Sequence, residues 1–267
     1  MTRQFGLIKI WGLFGGFALL FLLNFAISMS IPPTGRIWLA MSSGSLILSI
    51  ILIINYKLPN KKQILLSLGF GLVMFAAYQG INFTSVRVFI CTFLSALAIF
   101  GTFNRYETNA IRIFKENTVK SKLISILIGI VTGVVLGTIN NLLNNQTPEF
   151  SMHISYFLTA LSPAISEEIT MRAVLYAFCL HLLQGQVITR GEIFTCYFMM
   201  VIPHVMIHTP DQFIQYGFIS GIIGILLMAL IFGLPFAILQ RKRDLTSAMI
   251  GHGVVDVIRF CFFGLPF

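Results

Sequence analysis

Long apolar segments follow one another along the chain, and only short polar stretches separate them. Nine are predicted, at roughly 6–29, 36–55, 62–81, 84–103, 122–143, 154–184, 191–209, 213–239 and 245–264. A helix that crosses a bilayer needs about 20 apolar residues, whereas the strands of a membrane β-barrel would show as many short segments of alternating polarity. The pattern therefore predicts an all-α, polytopic membrane helix bundle with about eight or nine transmembrane helices.

Composition supports this class. Of the 267 residues, 57% are hydrophobic and 10% are charged, against about 25% charged in soluble domains. The net charge of +9 is typical of nucleic-acid-binding proteins, but it is also typical of cytoplasmic loops in membrane proteins. With the N-terminus inside, the inner loops contain nearly all Lys and Arg residues that lie outside the spans. We therefore expect a multi-pass protein of the cell membrane with a cytoplasmic N-terminus and no nucleic-acid partner.

One long polar stretch, 103–122, divides the chain. It is compatible with a short interfacial helix or with a plain connector. Either way, it separates four N-terminal spans within residues 1–104 from five C-terminal spans within residues 120–267. In the fifth span, small residues repeat every four positions at Gly129, Gly133 and Gly137, which predicts close helix packing. The four cysteines lie within apolar segments and are expected to be buried, small hydrophobic residues.

Clusters of ionisable residues inside the predicted spans are the main functional signal, and all of these clusters lie in the C-terminal half. An Asp, Lys or Arg at the centre of a membrane helix costs about 2.5–3.5 kcal/mol on insertion scales, so such residues pair with one another or line a wet cavity. These residues are Glu167, Glu168, Arg172, His204, His208, His252, Asp256 and Arg259.

The first cluster contains two adjacent acids. Glu168 and Arg172 are four residues apart and can pair on one helix face, whereas Glu167 points about 100° away. An ion pair alone would therefore leave Glu167 without a partner. Pro163, just upstream, is expected to loosen the helix before the acids.

Two further clusters contain histidines. His204 and His208 are four residues apart, a spacing that suits a metal ion as well as packing. His252 and Asp256 have the same spacing, so the carboxylate can orient the imidazole. Gly251 and Gly253 flank His252 and would allow a backbone or a substrate to come close.

Taken in this order, the three clusters resemble the type II CAAX prenyl endopeptidase family, also called the CPBP family of intramembrane proteases and often labelled Abi in bacteria. Glu167-Glu168 and Arg172 match its E-E-x-x-x-R motif, and His252 with Asp256 matches the H-x-x-x-D form of its third motif. The second motif, F-x-x-x-H, is only partly matched. We assign its histidine to His208, because Thr209-Pro210 follows, and His204 then occupies the Phe position. The resemblance covers about residues 120–264.

The resemblance implies an intramembrane endopeptidase, of a bacterial cell membrane, that uses glutamate and histidine without a metal or another cofactor. Its catalytic residues would be Glu167, His208, His252 and Asp256, supported by Glu168, Arg172 and His204. Glu167 would act as general base on a water molecule, and His252 and Asp256 would stabilise the oxyanion. The expected substrate is a membrane-associated protein or peptide, lipidated or not.

Three other functions remain open on the sequence. His204, His208 and His252 could bind zinc in a metalloprotease. A non-enzymatic immunity or membrane-interaction protein could retain the charged cluster for stability. A proton-coupled secondary transporter is the third, although the chain shows no inverted repeat.

Overall fold

The computed structural model describes residues 3–78, 80–144 and 146–265, and this part of the chain contains helices and no strand. Eleven α-helices are α1 (Arg3–Ala26), α2 (Pro33–Asn55), α3 (Lys61–Ala77), α4 (Phe83–Arg105), α5 (Val119–Leu143), α6 (Ile154–Leu161), α7 (Val174–Leu182), α8 (Arg190–Met206), α9 (Pro210–Met228), α10 (Leu234–Ile238) and α11 (Leu245–Phe263). Three π-helical segments lie between them, at Ser162–Ala173, Ala229–Gly233 and Leu239–Arg243. The predicted all-α membrane bundle is confirmed.

Each of the nine predicted apolar segments is helical. Among the described residues, six helices are long and apolar enough to cross a membrane: Gln4–Ala26, Pro33–Asn55, Phe83–Arg105, Val119–Leu143, Pro210–Arg243 and Leu245–Phe263. The other three segments are not among these six. The helices α3 and α8 are shorter, with 17 residues each, and the segment from α6 to α7 contains the charged first cluster. The protein is therefore a multi-pass membrane protein.

The polar stretch 103–122 is a connector. Its described backbone contains the end of α4, one 3-10 turn at Glu107–Asn109 and the start of α5, whose N-cap Thr118 accepts a hydrogen bond from the Ser121 backbone N–H. The connector is nevertheless fixed to the C-terminal half of the chain, because the Leu245 N–H donates to the Arg112 carbonyl over 2.8 Å.

The predicted glycine packing is found between α5 and α11. A Cβ atom on Gly133 would lie 2.6 Å from Val254 Cβ, and one on Gly129 would lie 2.8 Å from the Ser247 carbonyl oxygen. A Cβ atom on Gly137 would lie 3.0 Å from Ile258 Cδ1, which is a tight contact. At Gly129 and Gly133 the two helices approach so closely that a side chain would force them apart, and this contact places α11 with its His252 against the rest of the bundle.

The N-terminal helices pack directly around the first motif. Thr92 on α4 donates a hydrogen bond to Ser166 over 3.2 Å, and the Tyr78 hydroxyl, at the end of α3, lies 3.0 Å from Ser162 Oγ. On α2, Trp38 makes an edge-to-face contact with the ring of His208. The helices that carry no family motif thus form one wall of the motif region.

Candidate active site

The two adjacent acids lie on the first π-helical segment, Ser162–Ala173. Pro163 occupies its beginning, where it lacks the N–H that a regular helix would need, and the segment closes with a bond from the Val174 N–H to the Ile169 carbonyl, five residues back. The expectation that Pro163 loosens the helix is consistent with this geometry. All of its residues from Ser166 to Ala173 are buried, so their polar groups must find partners inside the protein.

Glu168 is fully engaged by three donors. Arg172 binds Glu168 Oε1, as the sequence predicted, and His252 Nδ1 lies 2.8 Å from the same oxygen. Gln240 Nε2 donates to Glu168 Oε2 over 2.6 Å and to the Glu168 carbonyl over 3.0 Å. The residue is 0% exposed. Glu168 therefore connects the first π-helix to α11 and to the third π-helical segment, and it has no free oxygen with which to activate water.

The contacts of Arg172 fix the protonation of His204. Arg172 donates through Nε to the Met200 carbonyl, and its NH2 lies 2.8 Å from His204 Nδ1. A guanidinium can only donate, so His204 Nδ1 must accept. The proton of the neutral ring is then on Nε2, which lies 2.8 Å from Glu167 Oε2. His204 therefore donates a hydrogen bond to Glu167.

Glu167 is buried but incompletely bonded. Besides the hydrogen bond from His204, its Oε2 has His208 Nε2 at 3.7 Å, beyond hydrogen-bond distance. Glu167 also lines a cavity of about 50 Å³, whose polar wall includes Ser42, Tyr78 and Ser166. That volume accommodates a small number of water molecules. Glu167 is thus a carboxylate with a free oxygen next to a space for water.

His252 and Asp256 form the opposite side of the cluster. Because the paired Glu168 carboxylate accepts, His252 Nδ1 carries a proton, and Nε2 faces Asp256 Oδ2 at 3.7 Å. At this separation the two groups form no direct hydrogen bond, and Nε2 of the Nδ1-protonated ring is an acceptor that faces the carboxylate. The ring of Phe236 stacks on His252, with centroids 4.7 Å apart, and fixes its plane.

Three possible metal ligands also converge. The ligand atoms of Glu167, His204 and His208 all lie within 4.8 Å of one another, a separation that suits a zinc ion in number and type of donors. His204, however, presents a proton rather than a lone pair at Nε2, since Arg172 occupies the other nitrogen. A zinc ion would have to remove that proton or break the Arg172 contact, so the donor set as bonded fits the ion poorly.

The structure brings all seven residues selected from the sequence into one cluster. The rings of His204 and His252 are 6.0 Å apart, and those of His204 and His208 are 5.3 Å apart. His204, on α8, is buried between Glu167 and Arg172, whereas the side chain of His208, two residues beyond the end of α8, is 34% exposed. The spacing placed both on one helix face but gave no information on which is deeper.

Sequence reasoning missed three residues that shape the site. They are Gln240, Phe236 and Trp38, which contact Glu168, His252 and His208. Gln240 is a buried amide at the end of an apolar segment next to Arg241-Lys242-Arg243. That basic run indicates a solvated loop, whereas Gln240 is buried within the π-helical segment Leu239–Arg243.

Comparison with known proteins gives one match. Residues 148–258 match the family model described as type II CAAX prenyl endopeptidase Rce1-like. No curated protein and no solved structure matches the chain. The matched segment is less than half of the chain, but it contains Glu167, Glu168, Arg172 and both histidine motifs. The part of the chain that builds the site is therefore similar to the Rce1-like type II CAAX prenyl endopeptidases, a family of proteases, as the order of the three motifs predicted.

Proposed function

We propose that the protein is an intramembrane endopeptidase that hydrolyses a peptide bond of a membrane-associated protein or peptide with a water molecule activated by Glu167. One observation carries this assignment: of the two adjacent acids, Glu168 has all its oxygens bonded, whereas Glu167 has a free oxygen on a water-sized cavity. A general base must reach the water it deprotonates. Glu167 meets that requirement and Glu168 does not.

His204 and His208 have different roles in this proposal. His204 donates to Glu167 Oε2 and orients the carboxylate, so it is a positioning residue. His208 lies 3.7 Å from the same oxygen at the exposed edge, where it can contact the water or the peptide. We retain His208 as a catalytic residue because it has no partner that fully occupies its ring, while His204 is fixed on both sides.

His252 and Asp256 supply the electrophilic half of the reaction. One further proton, carried by His252 Nε2 or by the Asp256 carboxyl, is donated to the oxyanion as the carbonyl is attacked. His252 is oriented for this by Glu168 on one nitrogen and by the stacked Phe236 ring. Arg172 and Glu168 do not touch the reacting atoms, and they act by orienting His204 and His252.

A second candidate function, a zinc metalloprotease, is favoured by the convergence of Glu167, His204 and His208. The two mechanisms make opposite predictions about metal content. A zinc enzyme would purify with about one zinc ion per chain and lose activity with a chelator. The glutamate mechanism predicts a metal-free enzyme that resists chelation, which elemental analysis of the purified protein measures directly.

The substrate class follows from where the site lies. The cluster is formed by helices of a multi-pass membrane protein, so the peptide must reach it from the bilayer or its surface. We therefore propose a membrane-associated substrate, lipidated or not. We also propose that the protein lies in a cell membrane with a cytoplasmic N-terminus.

The alternative of a non-enzymatic immunity or membrane-interaction protein requires no free carboxylate. In that case Glu167→Gln would preserve the biological effect.

The test compares purified wild-type protein with Glu167→Gln in proteoliposomes. Both are incubated with a library of membrane-associated peptides, and the products are identified by mass spectrometry. We expect wild-type protein to cleave and Glu167→Gln to be inactive but folded, because the amide still accepts the hydrogen bond from His204. Equal cleavage by both forms would refute the role of Glu167, and transport of peptide or ions without cleavage would favour the transporter alternative.

A further inference from the structure

The wall of the cavity at Glu167 includes a positively charged side chain that has no role in the proposed mechanism. Arg87 on α4 lines this cavity together with Trp38, Tyr78 and Glu167. Arg87 is partly exposed, whereas Glu167 is buried. The cavity is therefore lined by a buried carboxylate and by a partly exposed guanidinium.

Within the described part of the chain, no partner accounts for the buried Nε of Arg87. Its Nε is buried without a hydrogen-bond partner, and across residues 3–78, 80–144 and 146–265 no carboxylate lies within 4.0 Å of its guanidinium to form an ion pair. Leaving a buried donor of a charged group unsatisfied costs more than leaving a neutral one. A group of this kind on a cavity wall is suited to an anion that arrives with a ligand.

We propose that Arg87 is a specificity-determining residue that binds a carboxylate of the substrate peptide. The guanidinium binds carboxylates through two parallel hydrogen bonds, a geometry that an ammonium group cannot reproduce. This inference rests on the proposed peptidase function, because it assigns Arg87 to the same substrate that Glu167 cleaves. The carboxylate belongs either to an acidic side chain or to the free C-terminus of the peptide.

The helix geometry sets the distance between the two sites. Thr92 is hydrogen-bonded to Ser166, next to Glu167, over 3.2 Å. Arg87 precedes Thr92 by five residues, which is about 7.5 Å along α4. An extended peptide advances about 3.3 Å per residue. A peptide whose scissile bond lies at Glu167 therefore brings a group about two or three residues away to the level of Arg87.

Peptide binding requires the cavity to widen, because about 50 Å³ holds water but no peptide residue. Its wall on this side consists of α2, α4 and the end of α3, which present Trp38, Arg87 and Tyr78. These helices lie outside the matched family segment 148–258. The proposal thus gives the N-terminal helices a function in substrate selection.

Binding tests this proposal without relying on turnover. Glu167→Gln protein in nanodiscs is incubated with three matched peptide libraries: one with a free C-terminal carboxylate, one amidated, and one amidated with a single Asp or Glu. Retained peptides are quantified by mass spectrometry. The same measurement is made with Arg87→Gln and Arg87→Lys in the Glu167→Gln background, and with Arg190→Gln, an exposed arginine on α8, as the control for net charge.

We expect one of the two carboxylate-bearing libraries to be retained about tenfold or more above the amidated library, because a hydrogen bond between charged groups strengthens binding by about that factor. Arg87→Gln should abolish that preference, Arg87→Lys should retain only part of it, and Arg190→Gln should leave it intact. Equal retention of all three libraries, or a preference that survives Arg87→Gln, would overturn the proposal. If the preference depends on Arg87 but wild-type protein cleaves nothing, the carboxylate site stands and the peptidase assignment fails.

Discussion

Replacing each of the two adjacent acids by glutamine separates structure from catalysis. Glu168→Gln removes the charge that Arg172 pairs with, while Arg172 remains at 1% exposure. Breaking a buried pair by neutralising one partner typically costs about 3–5 kcal/mol. The same change also weakens the bonds from His252 and Gln240. We therefore expect Glu168→Gln to lower the apparent Tm by about 6–20 °C.

Glu167→Gln should behave differently. Its one hydrogen bond comes from His204 Nε2, and a glutamine oxygen accepts the same bond, so the loss of stability should stay near 1 kcal/mol. Activity should fall by a factor of about 10²–10⁴, because the general base is gone. Thermal unfolding in detergent by intrinsic fluorescence, with peptide cleavage on the same samples, measures both effects. Equal Tm values for the two variants would refute this division of roles.

Three further predictions follow from individual contacts. Gly133→Ala should lower the Tm, because the new Cβ would lie 2.6 Å from Val254 Cβ. The control Gly15→Ala, whose new Cβ would have no atom within 4 Å, should leave the Tm unchanged or raise it slightly. His204→Phe should reduce both Tm and cleavage, since it removes the acceptor for Arg172, while His208→Phe should reduce cleavage alone; an active, stable His204→Phe would contradict the assigned geometry. Gln240→Leu should cost about 1–3 kcal/mol in an unfolding assay, because Glu168 Oε2 loses its donor, and an unchanged midpoint would argue against that contact.

Much of the fold and of the site cluster could be predicted from the sequence, because hydrophobic segment length and the cost of burying charge act locally. Long apolar segments specify helices, and the spacing of Glu168 and Arg172 specifies their pairing. The glycine repeat on α5 likewise predicted a close helix contact, since only the absence of a side chain permits it.

The remaining features depend on tertiary contacts that no local pattern encodes. The depth of His204 relative to His208 follows from where α8 meets Arg172, and Gln240 is buried because its amide reaches Glu168. Gly217, at φ 82°, breaks α9 and separates its first turns from the helix that follows. No motif of the sequence includes Arg87, and only the cavity that both residues line connects it to Glu167.

In the proposed mechanism, Glu167 activates a water molecule and does not attack the peptide itself. A single-turnover cleavage in H₂¹⁸O, with enzyme in excess over peptide and mass analysis of the new carboxyl terminus, distinguishes these two reactions. Water attack predicts that the product of the first turnover contains one ¹⁸O atom. A first-turnover product with only ¹⁶O would mean that the oxygen came from the enzyme carboxylate, and it would contradict the account.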